Sequence, residues 1–109
     1  EFERKVISEI AHLPNVSFWH RNLERTGFRI NGFINQYPDF IIRTKSNILV
    51  VVETKGGDRD NTDSMRKLKL GREWANRAGD GYRYFMIFEN QALEGSYPIT
   101  EALTLLSRL

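Results

Sequence analysis

The chain contains no cysteine among its 109 residues. That excludes a disulfide framework and a thiolate metal centre. A cysteine-free chain suits a reducing compartment, and the expected location is cytoplasmic. Proline is sparse, and no apolar run approaches the roughly 20 residues a membrane span needs, so no membrane attachment is expected. Glu1-Phe2-Glu3 carries no signal-peptide pattern. There is no GxxxxGK[ST] phosphate loop, no internal repeat and no low-complexity tract. His12 and His20 each lack a second ligand at useful spacing and read as structural or surface residues.

What is present is an ordinary globular composition, 40% hydrophobic and 28% charged, with a formal net charge of +2. The mild basicity is compatible with nucleic acid but does not by itself argue for it. The length suits one domain, residues 1–109. A start without methionine suggests a piece of a longer protein.

Phe2, Val6, Ile7, Ile10 and Leu13 fall at helical spacing, and Pro14-Asn15 ends that helix. Glu3 projects within the apolar arc and Glu9 lies at its margin. An inward carboxylate wants a partner or a cation. The plainer reading is a solvated acid in a fraying first turn, where it suits the helix dipole. Val16–His20 reads as a strand, and Asn31-Gly32 as a two-residue hairpin turn. The aromatics read as core and sheet packing. Phe40–Arg43 and Ile48–Val52 are further strands, the second apolar enough to be buried on both faces.

Asp58-Arg59-Asp60-Asn61-Thr62-Asp63 superficially suggests a calcium loop. The required glycine is missing and Lys69 stands where the bidentate glutamate belongs, so these acids read as turn and helix N-terminal charges. A helix follows over 64–78, stopped at Gly79. Lys67 points into its apolar face. Its stem either packs while the ammonium reaches water, or the ammonium serves a site. Tyr82–Phe88 reads as a strand. Pro98 fits the first turn of a last helix, Ile99–Leu109, whose leucines cover a sheet face or dock on a neighbour. The order implies an α/β domain with a mixed sheet flanked by helices.

One constellation stands out. With the turn between the two central strands centred on Ser46, Asp39 falls opposite Glu53, with Cβ atoms about 5 Å apart. Two carboxylates that close repel unless a cation or a proton intervenes. Glu53 and Lys55, two apart on a strand, project from one face. The Gly56-Gly57 pair beside them leaves room for a ligand. Oxygen ligands select a hard cation such as Mg²⁺, which suits phosphodiester hydrolysis. The alternative is an acidic pair softened by Lys55 as a surface ion pair.

Pro38-Asp39 followed by Glu53-Thr54-Lys55 resembles the PD-(D/E)xK nuclease superfamily. Trp19-His20-Arg21-Asn22, Tyr37-Pro38-Asp39-Phe40-Ile41-Ile42-Arg43, Val52-Glu53-Thr54-Lys55-Gly56, Lys67 with Trp74-Ala75, and Tyr82-Arg83-Tyr84-Phe85 together are similar to the C-terminal endonuclease domain of type III restriction enzyme restriction subunits. The resemblance spans roughly residues 2–89. It implies a restriction-endonuclease-like fold with an αβββ(β)αβ core plus a C-terminal helix. It further implies a Mg²⁺-dependent DNA endonuclease, with Mn²⁺ able to substitute. Asp39, Glu53 and the Thr54 carbonyl would hold the metal, and Lys55 would position or activate the water. Glu3 would be the helix-borne acid at the metal, with Glu9 as fallback, and Lys67 would approach from the second helix. The implied partners are double-stranded DNA, a motor domain in the parent chain and a methyltransferase or specificity subunit. The alternatives are the nuclease domain of another defence helicase, and an inactive nucleic-acid-binding or docking module of the same fold.

Overall fold

A computed structural model describes residues 1–57, 61–90 and 93–109. Asp58, Arg59 and Asp60 of the acidic run lie outside the described residues. The elements run α1 (Phe2–Ala11), β1 (Val16–Arg21), β2 (Ile30–Asn31), β3 (Asn35–Gln36), β4 (Phe40–Thr44), β5 (Leu49–Lys55), α2 (Asn61–Ala78), β6 (Tyr82–Phe88), β7 (Tyr97–Pro98) and α3 (Ile99–Ser107). Among the described residues the main sheet has the order β1-β4-β5-β6-β7, and β2-β3 form a separate ribbon. β1, β4 and β5 pair antiparallel, whereas β5, β6 and β7 pair parallel. The domain is a mixed α/β structure with helices on both faces of a mixed sheet.

Alternation along the central strands splits the core in two. Val50 and Val52 share one face with Phe40 and Ile42, under Val6, Ile7 and Ile10 of α1 and Ala102 and Leu106 of α3. Val51 faces the other way with Tyr84, Met86 and Phe88, under Leu68 and Leu70 of α2 and Ile30 of the ribbon. The leucines of α3 and the residue closing the chain therefore cover a sheet face of this same chain: Leu106 is buried, and Leu103 and Leu109 pack beside it.

Helix α2 comes close to the sheet because position 71 has no side chain. A Cβ on Gly71 would lie 2.3–2.4 Å from the Tyr84 ring. The helix ends at Gly79, where φ is +112°, a region open to glycine. It starts three residues earlier than the periodicity indicates, with Asp63 in its first turn.

Three local expectations need correction. The ribbon does not turn on Asn31-Gly32: Asn31 pairs with Asn35, leaving a three-residue loop centred on Phe33. The tight turn expected there demands positive φ at both central residues, and neither Asn31 nor Gly32 has it. Gly32 instead makes room for Leu70, whose Cδ1 a Cβ would approach to 2.5 Å. Pro98 precedes the last helix rather than entering it. Its ψ of 162° is extended, and it belongs to the short β7 that pairs with Phe88. That helix also ends at Ser107, short of Leu109.

Candidate active site

The β4–β5 ladder holds the anticipated register through Phe40 opposite Val52. Asp39 then leaves the ladder. Its N–H donates 2.9 Å to Val52 O, the carbonyl of the residue already opposite Phe40, so Asp39 does not sit squarely across from Glu53. Its carboxylate reaches one residue further instead. Oδ2 accepts the Thr54 N–H at 2.7 Å and the Thr54 hydroxyl at 2.8 Å. Oδ1 accepts no bond among the described residues. The departure changes how the two acids face each other, yet the Asp39 charge still acts on Glu53.

The Pro38-Asp39 corner is fixed by Asn22, which is buried. Asn22 Nδ2 donates to Pro38 O at 3.0 Å and Phe28 O at 2.7 Å, and its Oδ1 accepts the Phe28 N–H at 2.8 Å. Its backbone N–H donates to Asp39 O at 2.8 Å. One amide side chain thus positions the first acid from across the neighbouring strand.

Glu53 is 5% exposed. Its Oε2 lies 3.7 Å from Lys55 Nζ and 3.6 Å from Lys67 Nζ. Its Oε1 is buried with no hydrogen-bond partner. Desolvation dominates and pushes its pKa up to about 8, with the Asp39 charge adding to the rise and the two lysines opposing it. Desolvation likewise raises Asp39, against the lowering effect of the Thr54 bonds. Burial works to lower the Lys67 pKa, but attraction to Glu53 and Asp63 outweighs it and the net shift is upward. The Glu53 share of that pull requires ionised Glu53, whereas the Asp63 share does not.

A cleft of about 740 Å³ opens over this strand end, lined by Asp39, Glu53, Thr54 and Lys55, by Phe2 and Glu3 from α1, and by Arg21, Gly56, Gly57 and Glu89. Glu3 is therefore in the cleft, but its Oε1 is bound by the Arg21 guanidinium. Among the described residues no three His, Cys, Asp or Glu side chains converge closely enough to form a metal-ligand group. Glu3 thus does not close a three-acid set with Asp39 and Glu53. Glu9 is exposed on α1 and does not line the cleft. Lys67 is outside the lining and reaches the site by its contact with Glu53, while bridging to Asp63 at 3.5 Å.

Besides Asn22, three contributors stand outside the set of site residues expected from the sequence. Arg21 at the end of β1 holds Glu3, and nothing local in the sequence links residues 18 apart. Glu89 follows β6 much as Glu53 closes the apolar part of its parallel neighbour β5, a repetition that could have flagged it. Its Oε1 accepts the Gly57 N–H at 2.8 Å, and its own N–H donates to Lys55 O at 2.9 Å. Gln36, fully buried, takes the Tyr84 hydroxyl at 2.5 Å and donates 2.9 Å to Lys67 O. It ties α2 to the sheet beside the site. Burial, with the nearby Glu53 and Asp39 charges, raises the Tyr84 pKa well above its ordinary value.

These features define a mixed α/β domain with a carboxylate–lysine cleft at the end of its central strand. No family model, curated protein or solved structure matches the chain.

Proposed function

We propose that this domain is a Mg²⁺-dependent endonuclease with a restriction-endonuclease-like fold, hydrolysing DNA phosphodiester bonds in the cleft beside β5. The observation that carries the reading is Glu53: a buried carboxylate with one oxygen unpartnered, beside a second acid and two lysines. A protein seldom buries a carboxylate oxygen with nothing to bind. A small hard cation, which takes one or two carboxylates and keeps its waters, fits that arrangement. Asp39, Glu53 and the Thr54 carbonyl would hold it. When bound, the ion would supply charge for the phosphoryl oxygens and acidity for a coordinated water.

The chain's own residues supply the rest. Glu1, Glu3 and Glu89 line the cleft along with Asp39 and Glu53, against Arg21 and Lys55. Without a cation, this acidic lining repels a phosphate backbone. The Thr54 bonds fix the Asp39 carboxylate before any ligand arrives. Lys55, on the same strand face as Glu53, orients the attacking water or takes its proton. Lys67 offsets the Glu53 charge and lends positive charge to the transition state. Arg21 binds Glu3 in the wall of the cleft, where the Glu3 charge helps to raise Asp39.

The wider assignment belongs to the same proposal. On the motif resemblance, the domain is the cleavage module of a type III restriction enzyme acting in the cytoplasm. It would work beside a motor domain in its parent chain and a methyltransferase or specificity subunit, with double-stranded DNA as substrate. A second reading, an inactive docking module, draws on the lack of a three-acid group among the described residues.

The test is cleavage of supercoiled plasmid with Mg²⁺ or Mn²⁺, by wild type and Lys55→Ala, in this chain and in the parent protein. Nicking or linearisation by the wild type alone, abolished by EDTA, is expected. Equal cleavage by a folded Lys55→Ala variant refutes the proposal.

A further inference from the structure

Strand β1 is an edge of the main sheet, yet its aromatic residues are uncovered: Phe18 is 46% exposed and Trp19 41%. Edge strands usually blunt such a surface with charge or cover it. Trp19 turns to the α1 side, where it meets the Phe40 ring edge-on at 6.1 Å. Phe18 and His20 project from the other face, as alternation requires. Phe18 pairs across the ladder with Arg43, and His20 with Ile41. Arg43 is opposite Leu49, and Ile41 opposite Val51. Phe18, His20 and Arg43 therefore share the sheet face of Val51, Glu53 and Lys55.

The rings of Phe18 and His20 are stacked within 14° of parallel, with centroids 6.4 Å apart. That is just under twice the roughly 3.4 Å repeat of stacked bases, so a small opening of these two exposed side chains admits a planar base between them. The Arg43 guanidinium lies 5.7 Å from the Phe18 ring centroid. Among the described residues it has no carboxylate partner, only a hydrogen bond to Asn47 Oδ1 at 2.7 Å. A phosphate would find it free of an ion pair. The shelf also leads to the cleft. Ile41, opposite His20, is two residues along β4 from Asp39, placing His20 on the order of 8 Å from that acid. That is about one nucleotide step.

We propose that Phe18, His20 and Arg43 form a stacking subsite for an unpaired nucleotide in the strand whose phosphate enters the cleft. The proposal rests on the nuclease reading and adds a substrate class to it: single-stranded or locally opened DNA at the cut. Aromatic faces accept bases without regard to sequence, each stack being worth about 1–3 kcal/mol. In a closed duplex the bases are already stacked on each other and offer the shelf nothing.

The experiment measures binding of fluorescent oligothymidylate and of a hairpin duplex of equal charge. It compares wild type, Phe18→Leu and Phe18→Tyr, with thermal unfolding confirming the fold of each. His20→Ala carries the same comparison should Phe18→Leu melt early. The expected result is a fivefold to hundredfold loss of oligothymidylate affinity for Phe18→Leu, recovery in Phe18→Tyr, and a duplex affinity within twofold of wild type. Unchanged oligothymidylate affinity in Phe18→Leu, no oligothymidylate binding by wild type, or an equal loss on both probes overturns the proposal. So does a wild-type dimer that Phe18→Leu dissociates without changing affinity, which would assign the shelf to a second copy. The nuclease reading fails separately, by Lys55→Ala cleaving plasmid as wild type does.

Discussion

Replacing Glu53 with glutamine removes a charge that the fold holds at a cost, and the size of that cost follows from its pKa. Burial raises the group from 4.5 to about 8. At about 1.4 kcal/mol per pH unit, the rise corresponds to roughly 5 kcal/mol. The sign is set by linkage. Below pH 4.5 the carboxyl is protonated in both folded and unfolded chains, and the stability tied to its proton is fully present. Above that, the unfolded chain ionises while the folded one keeps its proton, so stability falls. The loss is complete once the pH passes about 8. Glutamine has no proton to lose. In EDTA, Glu53→Gln and wild type should therefore unfold at similar urea concentrations near pH 4.5, and the variant should pull ahead steadily to pH 8.5. Roughly 5 kcal/mol is the ceiling, because residual structure in the unfolded chain absorbs part of it. A gain of about 2 kcal/mol or more at pH 8.5, or a melting shift of roughly 4 °C or more per kcal/mol, is the expected reading. Comparing the two proteins at each pH cancels the titration of groups remote from Glu53; Asp39, whose charge helps raise Glu53, stays within the difference. A stability difference that stays flat from pH 4.5 to 8.5 would refute the reasoning, since Glu53 would then ionise alike in both states.

Other expectations follow from the same geometry. If a cation replaces the Glu53 proton, Mn²⁺ affinity by calorimetry should rise about tenfold per pH unit between pH 6 and 8; a pH-independent affinity would count against Glu53 as its ligand. Asn22→Ala should cost on the order of 2–3 kcal/mol in urea unfolding, because it strands the buried Pro38 carbonyl and the part-buried Phe28 backbone groups, and it should loosen Asp39 as well; a cost under about 0.5 kcal/mol would contradict the bracing role. Gly71→Ala, which in an open helix would stabilise by up to about 1 kcal/mol, should here destabilise by about 1–3 kcal/mol through collision with the Tyr84 ring. A gain in stability would show that α2 can move off the sheet.

The central hairpin was legible because two local signals agree. Asn47 takes the positive φ of 74° that asparagine tolerates in a turn, and a turn centred on Ser46 sets the pairing of the apolar runs on either side of it. That register put Asp39, Glu53 and Lys55 at a common strand end; periodicity turned Lys67 into the apolar face of its helix, and the motif resemblance implied its approach to the site. The final step from ladder to site was not legible. Asp39 slips by one residue because Thr54 offers it two donors, a choice made by side chains in three dimensions. The Arg21 bond to Glu3 and the Gln36 link to Tyr84 join residues 18 and 48 apart, beyond any sequence periodicity. The ribbon departs from its turn dipeptide because Leu70, distant in sequence, fills the space at Gly32. Strand β7 is two residues long and leaves no pattern to read.

Gln36 also has a bearing on the order in which the molecule assembles. Its two partners lie 31 and 48 positions further along the chain. Contacts of such separation close late, after their loop entropy has been met by other elements. A growing chain that has emerged only as far as Gly81 already contains both inner acids and both lysines, and the β4–β5 hairpin can form. It still lacks the tyrosine hydroxyl that fixes Gln36, and the parallel strand against which α2 packs. Without them Lys67 has no defined seat beside Glu53. The cluster is therefore matured by a strand that carries none of its charged members, and an unfinished chain keeps its acidic strand end without the second lysine in place.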